Sequence, residues 1–190
     1  MEHREELIQR SIGLLKEIKD MTPGAEVEHW LNQTYGPDSE LYQQLARLIR
    51  LGVVDEGWAA NIEISGRRYR RSLLAPPSPE TFFFSITTVY MDSTGNDQNN
   101  PDGSFRGDYH AHPYGEFNMV VPLNEGAAIA GPNGWCCGGW TAPAPGSHHY
   151  PETNGGALIA LFFLPAGRIS YAAKPPEAPH RLMWRPWRSA

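Results

Sequence analysis

Near residue 75 the spacing of apolar residues changes, and no other feature limits the folds open to this chain as much. Before that point Leu7, Ile8, Ile12, Leu15 and Ile18 recur at helical spacing between Glu5 and Lys19, with charges on the opposite face. Thr22 and Pro23 read as cap and first-turn proline of a second helix carrying Val27, Trp30 and Leu31. "YGPDSE" interrupts it, and "SELYQQLARLIRLG" predicts a third helix that Gly52 would close as a left-handed cap. Beyond "VVDEGWAANIEISGRRYRRSLLAPPSPE" the period shortens, and β-branched and aromatic residues gather in "TFFFSITTVYM". Glycine and proline then bound "EFNMVVPL", "AAIAGP", "GWTAPAPG" and "GALIALFFLP". Short strands between turn residues predict an antiparallel barrel or double-sheet roll.

The expected fold class is therefore α+β, mainly β, with N-terminal helices followed by an antiparallel β-barrel. Residues 1–74 form the helical region, packed on the barrel or on a partner subunit; residues 75–172 form the barrel; residues 173–190, rich in proline, arginine and tryptophan, form an extended arm. A chain of 190 residues is long enough for one sizeable core. The polar stretch "STGNDQNNPDGS" (93–104) predicts an exposed loop able to act as a lid. His29 and His180 read as ordinary helix and surface histidines.

Charge narrows the partners. The net charge is −5, and basic residues are scattered except in "GRRYRR" (66–71), which argues against nucleic acid. The longest apolar run is about half a membrane span, and "MEHREELIQR" is too charged for a secretory signal. The two cysteines, Cys136 and Cys137, are adjacent, too close to bridge readily and poorly spaced for a zinc site. These features read as a soluble cytoplasmic protein.

"HAHPYGEFNMVVPL" (110–123) is where chemistry concentrates. His110 and His112, two apart on a strand, point to one face, and "PYG" supplies a bend that can return Glu116 to the same centre. A further ligand is expected from "GWTAPAPGSHHYPETNGG", where either His148 or His149 faces inward. Imidazoles with one carboxylate suit a divalent transition metal such as iron, manganese, nickel, cobalt or zinc.

These residues resemble the cupin superfamily, whose first motif is His-x-His, three or four residues, then Glu, and whose second is a Pro/Gly turn followed by His. "HAHPYGE" fits the first and "PAPGSHH" approximates the second, over roughly residues 75–172. Two positions depart from the pattern: Leu123 stands where cupins usually have glycine, and the second turn reads Ala-Pro-Gly. Counting on from Gly146, the resemblance selects His149 as the inward ligand, with His148 the alternative. More narrowly, "RGDYHAHPYGEFNMVVPL", "PGSHHYPETNGGALIALFFLPAGRISY" and the helical first third are similar to a small bacterial family that includes hydroxylaminobenzoate lyases. That resemblance implies conversion of 4-hydroxylaminobenzoate and water to 3,4-dihydroxybenzoate and ammonia, with His110, His112, Glu116 and His149 holding the metal.

Such chemistry needs an arginine for the substrate carboxylate, from Arg106, Arg71 or Arg70. It needs proton transfer, for which Glu116, His148, Tyr114 and Glu152 are candidates; Tyr109 alternates with His110 and so should point away. Trp140, Trp135, Phe84 and Phe117 could line a benzoate pocket, although each also suits a core. Two other readings use the same residues: a non-haem iron cupin dioxygenase, and a non-catalytic module that binds a small acid. A homodimer or higher homo-oligomer is expected, because the amphipathic helices need apolar surface to cover.

Overall fold

A computed structural model describes residues 2–95 and 103–176. The middle of the expected lid loop, most of the C-terminal arm and His180 lie outside those residues.

Three helices lead the chain: α1 (Glu2–Ile18), α2 (Ala25–Tyr35) and α3 (Glu40–Arg50). The helical periodicity is realised as buried stripes, Leu7, Ile8, Leu14, Leu15 and Ile18 on α1 and Tyr42, Leu45, Leu48 and Ile49 on α3. Ser39 caps α3, its side chain accepting the Tyr42 N–H. Two expected helix ends are corrected. Helix α2 starts at Ala25 with Gly24 in the cap position and no side-chain cap, so Thr22 does not cap it. Gly52 is not a left-handed cap; it lies inside a π-helical continuation of α3, Leu51–Asp55, and the left-handed glycine is Gly57. A Cβ on Gly52 would stand 2.5 Å from the Trp58 ring, so the missing side chain makes room for an indole rather than for a turn.

The strands then build a double-sheet roll. One sheet has six strands in the order β1 (Ile62–Glu63), β2 (Tyr69–Ala75), β3 (Phe84–Asp92), β12 (Ala157–Pro165), β6 (Phe117–Pro122), β9 (Gly139–Thr141). The facing sheet has four, β4 (Phe105–Arg106), β11 (Glu152–Asn154), β7 (Ala128–Gly131) and β8 (Gly134–Cys136). A two-stranded arm, β5 (His110–His112) with β10 (Ser147–His149), completes it, and all pairings are antiparallel. This is the α+β, mainly β, cupin-like architecture expected. Residues 62–75, which the period left with the helical third, contribute β1 and β2 because "YRRSLLA" carries its apolar and charged residues in a short strand.

The six-stranded sheet is covered on both faces. Leu74, Ile86, Phe117, Met119, Ile159, Leu161 and Phe163 share one buried cluster with the helices, whereas Tyr69, Val89, Met91, Val120, Leu158 and Phe162 pack toward the second sheet. Double cover explains why β12 is apolar throughout instead of alternating. The helices thus cover the chain's own sheet. Helix α2 also closes the sheet edge at β9, where Asn32 Nδ2 donates to Trp140 O and Asn32 Oδ1 accepts the Trp140 N–H, both at 2.9 Å. Among the described residues, no helix is long and apolar enough to cross a membrane.

Candidate metal centre

The two-stranded arm fixes the histidines. In its register His149 lies opposite His110, His148 opposite Ala111 and Ser147 opposite His112. Parity therefore turns His110, His112 and His149 to one face and His148 to the other. Ligand atoms of these three imidazoles lie within 4.8 Å of one another, the one grouping among the described residues able to hold a metal ion.

Glu116 is brought beside them by the bend that "PYG" was expected to make. Gly115 takes a positive φ of 79°, its N–H reaches His112 O at 3.2 Å, and the Glu116 N–H is held by Pro143 O at 3.0 Å. The buried carboxyl then stands with Oε1 3.6 Å from His112 Nε2.

Hydrogen bonds and burial set the protonation of the group. Asp108 O accepts from His110 Nδ1 at 2.8 Å, which leaves His110 Nε2 as a lone pair facing His112 Nε2 at 3.1 Å. His112 Nδ1 is paired with Ser147 Oγ at 3.1 Å. Burial lowers all three imidazoles; with the smaller push of neighbouring imidazoles in the same direction, His112 falls to about 3 and His149 to about 4. At neutral pH they are uncharged, the form that binds a metal. Burial pushes Glu116 up to about 7, against the hydrogen bond from Asn118 Nδ2 to its Oε1 at 2.6 Å. Three converging imidazole nitrogens with a carboxyl alongside are a donor set that fits a divalent transition metal.

The group opens, through His110, Glu116 and His149, into a cavity. Val89, Met91, Ile129 and Phe162 form its apolar wall; Tyr69, Arg71, Asn118, Thr141 and Tyr171 bring polar atoms to it.

Several residues singled out from the sequence lie elsewhere. Trp140 is 1% exposed in the core on the helix side, its Nε1 donating to Tyr35 O at 2.6 Å and its ring stacked on Phe163. It does not line the cavity, because strand alternation turns its neighbour Thr141 inward instead. Phe84 and Phe117 are also core residues, and Trp135 is exposed. Arg106 is on the surface, with Nε 2.8 Å from Glu152 Oε2. Arg70 stacks on Tyr90, and Arg71, on the other face of β2, is the arginine that reaches the cavity. Tyr114 is 53% exposed, and His148 pairs with the Tyr109 hydroxyl on the outer face of the arm. Neither touches the cavity.

Asn118, Tyr69 and Tyr171 were not foreseen. Asn118 carries a sequence signal, a polar residue two after Glu116 in an apolar strand, and Tyr69 stands two before Arg71. Tyr171 carries none, since it arrives on a turn after β12.

An antiparallel roll with three inward imidazoles at one end of an apolar cavity defines a cupin-like protein with a candidate metal site. The family described as PnbB: 4-hydroxylaminobenzoate lyase matches residues 9–171, and the chain belongs to that family. A 4-hydroxylaminobenzoate lyase of Pseudomonas putida is 63% identical over 171 residues, 90% of this chain and 97% of the relative. One of Nocardioides sp. (strain LMS-CY) is 61% identical over 172 residues, 90% of this chain and 96% of the relative. A chain from the crystal structures of DMSP lyases RdDddP and RnDddQII is similar at 17% identity and TM-score 0.41, covering 85% of this chain and 89% of that one, a likeness too loose to inform the site.

Proposed function

We propose that this chain is a 4-hydroxylaminobenzoate lyase, converting 4-hydroxylaminobenzoate and water to 3,4-dihydroxybenzoate and ammonia. The observation that carries the reading is the pair of relatives bearing that name, 63% and 61% identical across 90% of this chain. Three neutral imidazoles opening into an apolar cavity support it.

His110, His112 and His149, with Glu116 as fourth donor, would hold a divalent transition metal. When bound, the ion supplies Lewis acidity for the hydroxylamino oxygen. The cavity wall of Val89, Met91, Ile129 and Phe162 holds the ring and limits access of bulk water. Arg71 at the same cavity supplies the cation for the substrate carboxylate. Asn118 donates to Glu116 Oε1 and so fixes the orientation of the carboxyl beside the three imidazoles. Substrate and water together contain the atoms of both products. The N–O bond breaks as a C–O bond forms at the neighbouring ring carbon. Hydrolysis of the resulting C=N replaces the ring C–N bond with a second C–O bond and releases ammonia, and loss of the proton from the neighbouring carbon restores the aromatic ring, with no external oxidant.

The test is an anaerobic assay with 4-hydroxylaminobenzoate beside elemental analysis of the purified protein. Ammonia and 3,4-dihydroxybenzoate in equal amounts, without oxygen and with near-stoichiometric metal, is the expected result. Turnover only in oxygen would replace the lyase with a dioxygenase; binding without turnover would leave a small-acid module. The free, adjacent thiols of Cys136 and Cys137 support a cytoplasmic placement. Exposed Leu73 and Phe83 are the apolar surface that a homodimer would cover, which light scattering on the purified protein reads directly.

A further inference from the structure

Three side chains on the cavity carry hydrogen-bond donors that the fold itself does not use. Tyr69 and Arg71 stand two apart on the same face of β2, and both line the cavity with Tyr171. Tyr69 is only 4% exposed, yet among the described residues its hydroxyl has no hydrogen-bond partner. Arg71 has no carboxylate partner among the described residues; its Nη1 donates to Tyr171 OH at 2.8 Å. Because that oxygen accepts from Arg71, the Tyr171 hydrogen is left to donate.

Tyr171 is half exposed, but the backbone that carries it is tied down. The residue before it, Ser170, forms a two-bond bridge with Ala111, Ala111 N to Ser170 O at 2.8 Å and Ser170 N to Ala111 O at 2.9 Å. Ala111 lies between the two histidines of β5, so the turn after β12 is tied to the strand that carries them. The tie sets the Tyr171 ring 5.8 Å from the His110 ring, edge-on. Ile169 on the same turn also lines the cavity.

We propose that Tyr69, Arg71 and Tyr171 form a donor-only clamp for the carboxylate of a flat aromatic acid, with Tyr171 carried on a strap tied to the histidine strand. The proposal rests on the small-acid reading above and adds how the acid is told from its neutral analogues. A carboxylate offers only acceptors and can take several donors at once. An amide of the same shape brings its own N–H groups against the clamp and lacks the charge that Arg71 matches. A site built to hydrogen-bond one ligand disfavours the analogue that leaves its donors unpaired. Burial, which raises the Tyr69 phenol above its usual range, keeps that hydroxyl protonated and so a donor.

Calorimetric titration of the purified, metal-containing protein with 4-aminobenzoate and with its neutral isostere 4-aminobenzamide tests the clamp without any turnover. Wild type should prefer the acid by about tenfold or more, the size of a hydrogen bond to a charged group. Tyr171→Phe, which keeps the ring, and Tyr69→Phe should each remove most of that preference, weakening the acid while leaving the amide and the metal content unchanged. Equal affinities in wild type, no binding of the acid, or a full preference surviving both substitutions would overturn the proposal. Preference without turnover of 4-hydroxylaminobenzoate would keep the clamp and sink the lyase; turnover without preference would do the reverse.

Discussion

His149 lies directly across from His110 in the antiparallel pairing of β10 and β5, with ring centroids 5.0 Å apart. Its neighbour His148 faces the other way and pairs with the Tyr109 hydroxyl. His149→Ala should therefore strip most of the metal, and His148→Ala should retain it near wild-type stoichiometry. Elemental analysis of the two variants decides the matter. Metal lost from the His148 variant alone would reverse the inward assignment.

Asn118 is the residue that orients Glu116. Its Nδ2 reaches Glu116 Oε1 at 2.6 Å and Thr141 Oγ1 at 3.2 Å, all three side chains being buried. Asn118→Ala should lower kcat about tenfold or more, as expected for one hydrogen bond to a group that carries charge, with a small change in KM. Steady-state kinetics alongside metal content separates this from simple loss of the ion. An unchanged kcat would mean that Glu116 needs no fixed orientation.

Trp140 and Arg106 look like substrate residues in the sequence and are placed elsewhere by the fold. Trp140→Phe removes the donor to Tyr35 O and should cost about 1–3 kcal/mol of stability while leaving KM unchanged. Arg106→Ala removes an exposed pair with Glu152, worth little, and should likewise leave KM alone. Arg71→Ala should raise KM about tenfold or more, through loss of a charge-assisted contact. Denaturant titration and initial rates on the three variants check this; a raised KM in the Trp140 variant would place that indole in the substrate site after all.

Local pattern revealed those parts of the fold and site that depend on a few consecutive residues. The His-x-His pair specifies strand parity and so orients two imidazoles; the choice of His149 over His148 rests on the cupin resemblance in the sequence and on the register of β10 against β5 in the fold. The strands β3, β6, β7, β9 and β12 were legible because glycine or proline bounds each of them. Tyr69–Ala75 was not legible as a strand, since four arginines within "GRRYRR" hide its alternation; it joins the sheet through pairing with β3, a contact remote in sequence. Trp140 could not be sorted from Thr141 without knowing which face the helices cover. Tyr171 depends on the Ser170–Ala111 bridge, which links positions far apart in the chain and leaves no periodic trace.

Gly52 supplies a test of why a glycine sits at the end of a helix. A Cβ there would lie 2.5 Å from Cζ2 and 2.6 Å from Cε2 of Trp58, atoms of a rigid ring whose Nε1 is held by Glu56 Oε2 at 2.6 Å. Gly52→Ala should therefore destabilise the protein by about 1–3 kcal/mol, the usual cost of forcing an extra carbon into packed atoms. If a left-handed backbone were the reason for glycine, that cost would persist whatever residue stood at 58. With the contact as the reason, Trp58→Ala should relieve it, so that Gly52→Ala becomes close to neutral in the Trp58→Ala background, or stabilising through helix propensity. A double-mutant cycle by urea denaturation measures that coupling, and additive effects would refute the steric account.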